Sequence, residues 1–129
     1  RLRRALDRRA GDLSGGFGRK LDLALALLKR PQYLLLDEPL GALDDVSVER
    51  FLPFLDSYAR QGHTVIVSTH NVTDFEPYLD RVTVMYDGSV IFDRLAHQFD
   101  LGGYDSMQEF YVDMVVQREG QRVDLDESA

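Results

Sequence analysis

The sequence contains no cysteine and no tryptophan, and only 4 of its 129 residues are proline. Without cysteine there is neither a disulfide framework nor a thiolate metal site, and the composition suits a reducing compartment. No apolar run approaches the roughly 20 residues that a membrane-spanning helix needs, so no segment is expected to cross a bilayer. The chain opens Arg1-Leu2-Arg3-Arg4 with no apolar stretch behind it, unlike a secretory signal. Methionine is also missing from position 1, and the chain is read as a piece of something longer. With 44% hydrophobic residues, 10 glycines and no low-complexity tract or internal repeat, it is neither disordered nor collagen-like. Its length fits one domain.

Charge is unevenly placed. Residues 1–30 hold nine basic and three acidic side chains, a net +6, so the remainder of this −7 chain carries −13. An acidic body lacks the clustered Lys and Arg of a nucleic-acid groove, and no nucleic-acid partner is expected. The basic head reads as a solvated helix face, with contact to phosphate or acidic lipid as the alternative.

Hydrophobic spacing outlines the elements. Leu2, Ala5 and Leu6 suit the tail of a helix that Gly11-Asp12 ends. Over 21–28 the chain is apolar on nearly every side, as in a helix buried all round, and Lys29-Arg30-Pro31 closes it. Tyr33-Leu34-Leu35-Leu36 has the pattern of a buried strand in a parallel sheet. Val48, Phe51, Leu52, Leu55 and Tyr58 fall at helical spacing, with Pro53 expected to kink that helix or delay its start. Val65-Ile66-Val67 reads as a second buried strand, and strand, helix, strand predicts a right-handed βαβ unit. A short helix is expected over 71–79. Asp87-Gly88 predicts a hairpin turn between 81–86 and 89–93. Met107, Phe110, Tyr111, Met114 and Val115 share a helical face behind a capping box of Ser106 and Glu109, and the polar residues 117–129 predict a frayed end.

Four short motifs carry chemistry. Leu13-Ser14-Gly15-Gly16-Phe17 at the mouth of a helix lets backbone N–H groups approach an anion, although such a loop also serves as a plain turn. Leu34-Leu35-Leu36-Asp37-Glu38-Pro39 places two carboxylates where a strand ends, the edge at which open α/β sheets bind ligands. One carboxylate there can hold magnesium through water and the next can accept a proton, or the pair is simply an acidic turn. Gly41-Ala42-Leu43-Asp44 follows, with Asp44 a good N-cap. His70, after Ser68-Thr69, ends the second strand. Neighbouring parallel strands would put it on the same edge as Asp37 and Glu38.

The order and spacing of these motifs resemble the second half of the ATP-binding domain of ABC transporters. That family has a Leu-Ser-Gly-Gly-Gln signature, a helix, an apolar strand ending Asp-Glu, a loop ending Ala-Leu-Asp and a strand ending in His. The match runs roughly over residues 12–93. The resemblance implies an α/β fold: a partial P-loop NTPase-like parallel sheet with flanking helices and a C-terminal β-hairpin and helix. It implies that 1–30 are the end of a helical subdomain bearing the signature. Residues 31–93 would be the core with Walker B acids, D-loop and switch histidine, and 94–129 a tail. Asp37 would orient Mg2+ through its water shell, Glu38 would be the general base, and His70 would contact the γ-phosphate. Asp44 would couple two active sites across a dimer. Ser14, Gly15 and Gly16 would bind the γ-phosphate of ATP held by the partner domain. Phosphoryl transfer is mostly positioning and charge stabilisation, so a donor loop, a metal and a base are the parts it needs.

Departures from the family pattern are specific. Phe17 stands where the signature has Gln, Lys20 keeps a basic residue three places on, and Leu25 replaces the usual Arg. No Gly-x-x-x-x-Gly-Lys-[Ser/Thr] occurs, so the phosphate-cradling loop lies outside this chain. The resemblance implies an ATPase subunit that drives a membrane transporter, at the cytoplasmic face, beside transmembrane subunits and a second ATP-binding domain arranged head to tail. The short C-terminal stretch suits an export type. The alternatives are a non-transport ABC ATPase acting on ribosomes or clamping DNA, and a catalytically inactive binding module. The 129 residues alone are expected to be inactive.

Overall fold

A computed structural model describes residues 15–127, with side chains placed over 17–120. Ser14 and the helical stretch expected over 1–9 lie outside the described residues. The chain divides into two units between His70 and Asn71, each with its own apolar core.

The first unit runs α1 (Gly15–Leu28), β1 (Tyr33–Asp37), α2 (Asp45–Arg60) and β2 (Thr64–Ser68). The two strands pair in parallel, from Tyr33 opposite Thr64 to Asp37 opposite Ser68, and α2 is the crossover that parallel pairing demands. Asp44 caps α2 from an extended backbone, φ −75° and ψ 156°, its side chain accepting the Ser47 N–H. Pro53 lies inside α2 and does not delay its start, the second of the two outcomes expected of it. Leu52, Leu55 and Tyr58 bury one face of this helix, and that packing offsets the single backbone donor that proline lacks.

Leu23, Leu34, Leu36, Leu55 and Tyr58 form the core, with Leu27, Leu43, Phe51, Val65 and Val67 packed against it. Both helices therefore lie on the Leu34/Leu36 face of the strand pair. The opposite face is open: Leu34 is 4% exposed while Leu35, between it and Leu36, is 70% exposed. Strands buried on both faces are thus corrected to strands buried on one. The all-round buried helix is corrected in the same way, since α1 buries Leu23 and exposes Leu25 and Leu28.

The second unit contains a 3-10 turn (Glu76–Tyr78), β3 (Arg81–Tyr86), β4 (Ser89–Leu95), a second 3-10 turn (Ala96–Gln98) and α3 (Met107–Glu127). β3 and β4 form the expected hairpin. Asp87 and Gly88 turn it with φ 47° and 73°, the left-handed pair of a type I′ turn. The helix expected over 71–79 is only the 3-10 turn. The Asn71 side chain accepts the Thr73 N–H, competing with a helical ladder, and Pro77 has no N–H to give one. Half of the capping box forms: Ser106 Oγ accepts the Glu109 N–H at 3.1 Å, while Glu109 takes the amide of Asp105 and not that of Ser106. α3 continues to Glu127 where fraying was expected, because Gln, Arg and Glu are good helix formers. Val82, Val84 and Met107 form this core. Phe92, Phe99 and Phe110 meet edge to face around it, with ring centroids 4.7 to 5.2 Å apart. No helix among the described residues is long and apolar enough to cross a membrane.

Candidate active site

The site lies where β1 and β2 end together. Asp37, the last residue of β1, stands opposite Ser68, whose hydroxyl donates to Asp37 Oδ1. The Glu38 N–H extends the ladder by one bond, to the Ser68 carbonyl at 2.9 Å. The backbone then enters the left-handed region, with Glu38 at φ 43°. That conformation is unfavourable for a side chain with a Cβ, and more so before a proline; Pro39, next in sequence, has a wholly buried side chain.

The turn carries the Glu38 carboxylate across to the residues after β2. Glu38 Oε1 accepts the His70 backbone N–H at 2.9 Å and lies 2.6 Å from His70 Nδ1. Glu38 Oε2 accepts the Thr69 hydroxyl at 3.2 Å. The His70 side-chain hydrogen bond holds the Glu38 carboxyl below its ordinary 4.5 against the opposing effect of desolvation, and the His70 amide and Thr69 hydroxyl act with it. Asp37, Glu38 and His70, picked out separately in the sequence, are thus brought to one edge. An ionised, half-exposed carboxylate held by an imidazole there can accept a proton from water.

The other candidates sit apart from this pair. Asp44 Oδ1 accepts the N–H and hydroxyl of Ser47, and Oδ2 pairs with Lys20 Nζ at 2.6 Å. Lys20 first, and then Ser47, hold its carboxyl at about 2. These bonds tie the loop before α2 to α1 and do not reach Glu38 or His70. Gly15 and Gly16 open α1 itself. First-turn N–H groups have no partner within their own helix.

One residue was missed. Arg19, counted in the sequence only among the basic residues, donates from Nη2 to the backbone carbonyls of both Asp37 and Glu38, the latter at 3.1 Å. The signal was available: Arg19 is one helical turn before Leu23, the α1 residue buried against β1, so both share the face that meets the strand.

A family model described as "ABC transporter" matches residues 1–41, taking in both Ser14-Gly15-Gly16 and Asp37-Glu38. A phosphonates import ATP-binding protein of a Ruegeria species is 40% identical over 88 residues, 67% of this chain and 34% of that protein. A macrolide export ATP-binding/permease protein of Campylobacter fetus is 39% identical over 92 residues, 71% of this chain and 14% of that protein. The solved ATP-binding subunit of an ABC transporter aligns over 88% of this chain and 48% of its own, with a TM-score of 0.77 and 27% identity. A dimeric ATP-binding cassette bound to ADP and Pi aligns over 72% of this chain and 40% of its own, with a TM-score of 0.66 and 29% identity. The chain belongs to the ABC transporter ATP-binding family.

It spans 24–34% of the length of the first three curated relatives. ABC ATP-binding domains bind ATP and are in general ATPases, and the named relatives include import and export proteins. In this ABC chain no group of three or more His, Asp or Glu among the described residues forms a metal cage. Magnesium needs none, since it keeps most of its waters and takes one or two carboxylates beside phosphate oxygens. The exposed Asp37 carboxylate, steadied on one oxygen by Ser68, fits that donor chemistry.

Proposed function

We propose that this chain is the part of an ABC transporter ATP-binding subunit that supplies the hydrolytic base and the partner-facing phosphate loop. The contact of Glu38 with His70 at the edge of a parallel strand pair carries this reading. Glu38 accepts the proton of the attacking water, His70 steadies it and meets the γ-phosphate, and Asp37 holds Mg2+ through water. Ser14, Gly15 and Gly16 meet the γ-phosphate of ATP bound by a second ATP-binding domain, with Asp44 at that junction, in a head-to-tail dimer. A dimeric ADP-bound cassette among the structural relatives supports this arrangement. The intact subunit works at the cytoplasmic face of a membrane beside transmembrane subunits. Its export-type assignment rests on the hairpin and the helix that begins at Met107. Without a Gly-x-x-x-x-Gly-Lys-[Ser/Thr] loop, these 129 residues alone do not turn over ATP.

The test is Glu38→Gln in the full-length ATP-binding protein that carries these residues. Removing a general base costs about 10²- to 10⁴-fold in kcat, while ATP affinity stays within about twofold. Hydrolysis at the unsubstituted rate would show that Glu38 is not the base.

A further inference from the structure

We infer that Arg19 is a positioning residue for the Glu38 base, holding the left-handed turn that aims its carboxylate. This rests on the reading of Glu38 as the base. Arg19 Nη2 donates to the carbonyl oxygens of Asp37 and Glu38, the two consecutive residues at which the chain leaves β1. Beside Arg19, the Glu38 carbonyl accepts only a long bond from the Gly41 N–H among the bonds described, at 3.4 Å, and backbone acceptors that leave water require donors. A guanidinium amino group has two hydrogens, one for each oxygen, and its charge is permanent.

The strain sits at the same place. Glu38 is at φ 43°, a region that a residue with a Cβ leaves unless its surroundings hold it there. Glu38 is held at two ends by different elements. Thr69 and His70, beyond β2, take its carboxylate, and Arg19 of α1 takes its peptide. Arg19 is itself fixed, because Leu23 one turn later is packed into the core with Leu34 and Leu36. The helix that follows the glycine loop therefore sets where the base points. With Arg19 removed, the peptide is released from one side and the carboxylate samples a wider range. A displacement of about 1 Å at a reacting group costs on the order of 100-fold in rate.

The experiment measures steady-state ATP hydrolysis by the full-length protein with Arg19→Lys, Arg19→Gln and, separately, Glu38→Gln. We expect kcat to fall in the order Arg, Lys, Gln, reaching about a 10- to 100-fold loss in R19Q, with KM for ATP within about twofold and partial rescue by lysine's ammonium donors. Unchanged kcat in R19Q overturns the inference. So does loss of folding in R19Q, or a fall of kcat in step with ATP affinity, since either assigns Arg19 to the fold or to nucleotide binding. E38Q that hydrolyses normally defeats the reading of Glu38 itself, whatever Arg19 does, so the two failures are distinct.

Discussion

Neighbouring leucines of β1 should respond very differently to truncation. Leu34 is 4% exposed and belongs to the first core, whereas Leu35 is 70% exposed on the open face. Fully burying a leucine contributes about 1.5–3 kcal/mol, so a side chain less than a third buried accounts for roughly 0.5–1 kcal/mol. Leu34→Ala adds a cavity term, because helices on that face cannot collapse fully into the space, and costs about 2–5 kcal/mol. With a urea m-value of about 1–3 kcal/mol/M, the midpoint falls by roughly 0.7–5 M for L34A and by about 0.2–1 M for L35A, the first shift several-fold the larger at any one m-value. Circular dichroism of both variants in urea, beside the unsubstituted chain, checks this. Equal midpoints would refute the one-sided sheet. Repeating the pair in the full-length protein asks whether Leu35 is covered there; if it is, the cost of L35A rises towards that of L34A.

Acid exposes the ion pairs. The Asp44 carboxyl lies at about 2 in the fold against an ordinary 3.8, and Asp93, held by Arg81 and Thr83, also lies at about 2. Between about pH 4 and pH 2 the unfolded chain binds these protons first, so their stabilisation is complete above that window and lost as pH falls through it. Lys20→Met should bring the Asp44 titration, followed by carboxyl NMR, back towards 3.8; an unmoved titration would show that Lys20 is not its partner in solution. His70→Ala should raise the Glu38 carboxyl towards 4.5, read by the same NMR titration, because the first cause of its lowering is then gone. A Glu38 titration that stays lowered in H70A would mean that the imidazole contact does not hold the base.

Much of this was legible in the sequence because it is local. Asp44 before an apolar helical repeat and Asp87-Gly88 between strands each state their role within a few residues, and the acids directly behind Leu34-Leu35-Leu36 mark where the strand ends. The meeting of Glu38 with His70, 32 positions apart, was legible too, because parallel pairing through a crossover helix brings two strand ends to one edge. What escaped was set by neighbours distant in the chain. Leu35 and Ile66 have the side chains of buried strand residues, yet no local pattern says whether one face or two will be covered. Leu25 and Leu28 misled in the same way. The left-handed Glu38 runs against local preference, since both glutamate and the residue before a proline avoid that region; its bonds to Arg19, Ser68, Thr69 and His70 come from elsewhere in the chain. Over 71–79 the error was one of emphasis, because Pro77 and the Asn71 turn outweighed the spacing of apolar residues.

The charge polarity of the sequence acquires a local meaning in the fold, and it bears on what this part contributes to nucleotide binding. Two cations of the basic first 30 residues turn inwards, Lys20 to the Asp44 carboxylate and Arg19 to the carbonyls of Asp37 and Glu38. Arg19 gives Nη2 to backbone carbonyls and keeps its charge, beside the Asp37 and Glu38 carboxylates at the strand edge. A triphosphate brought to that edge meets like charge, which near a protein surface is worth about 4 kcal/mol per unit pair at 4 Å before screening. On the proposed reading, the phosphates are held chiefly by cations and N–H donors outside these residues. In phosphate-binding loops those are a lysine, a glycine-rich backbone and magnesium, and no such loop motif occurs here. On that reading the chain supplies the base, and most of the affinity comes from residues beyond it. Titration calorimetry of Mg-ATP into the 129-residue chain should show no binding, while the full-length protein binds. Tight binding by the chain alone would place the nucleotide among its own residues and refute the division of labour between the two parts of the site.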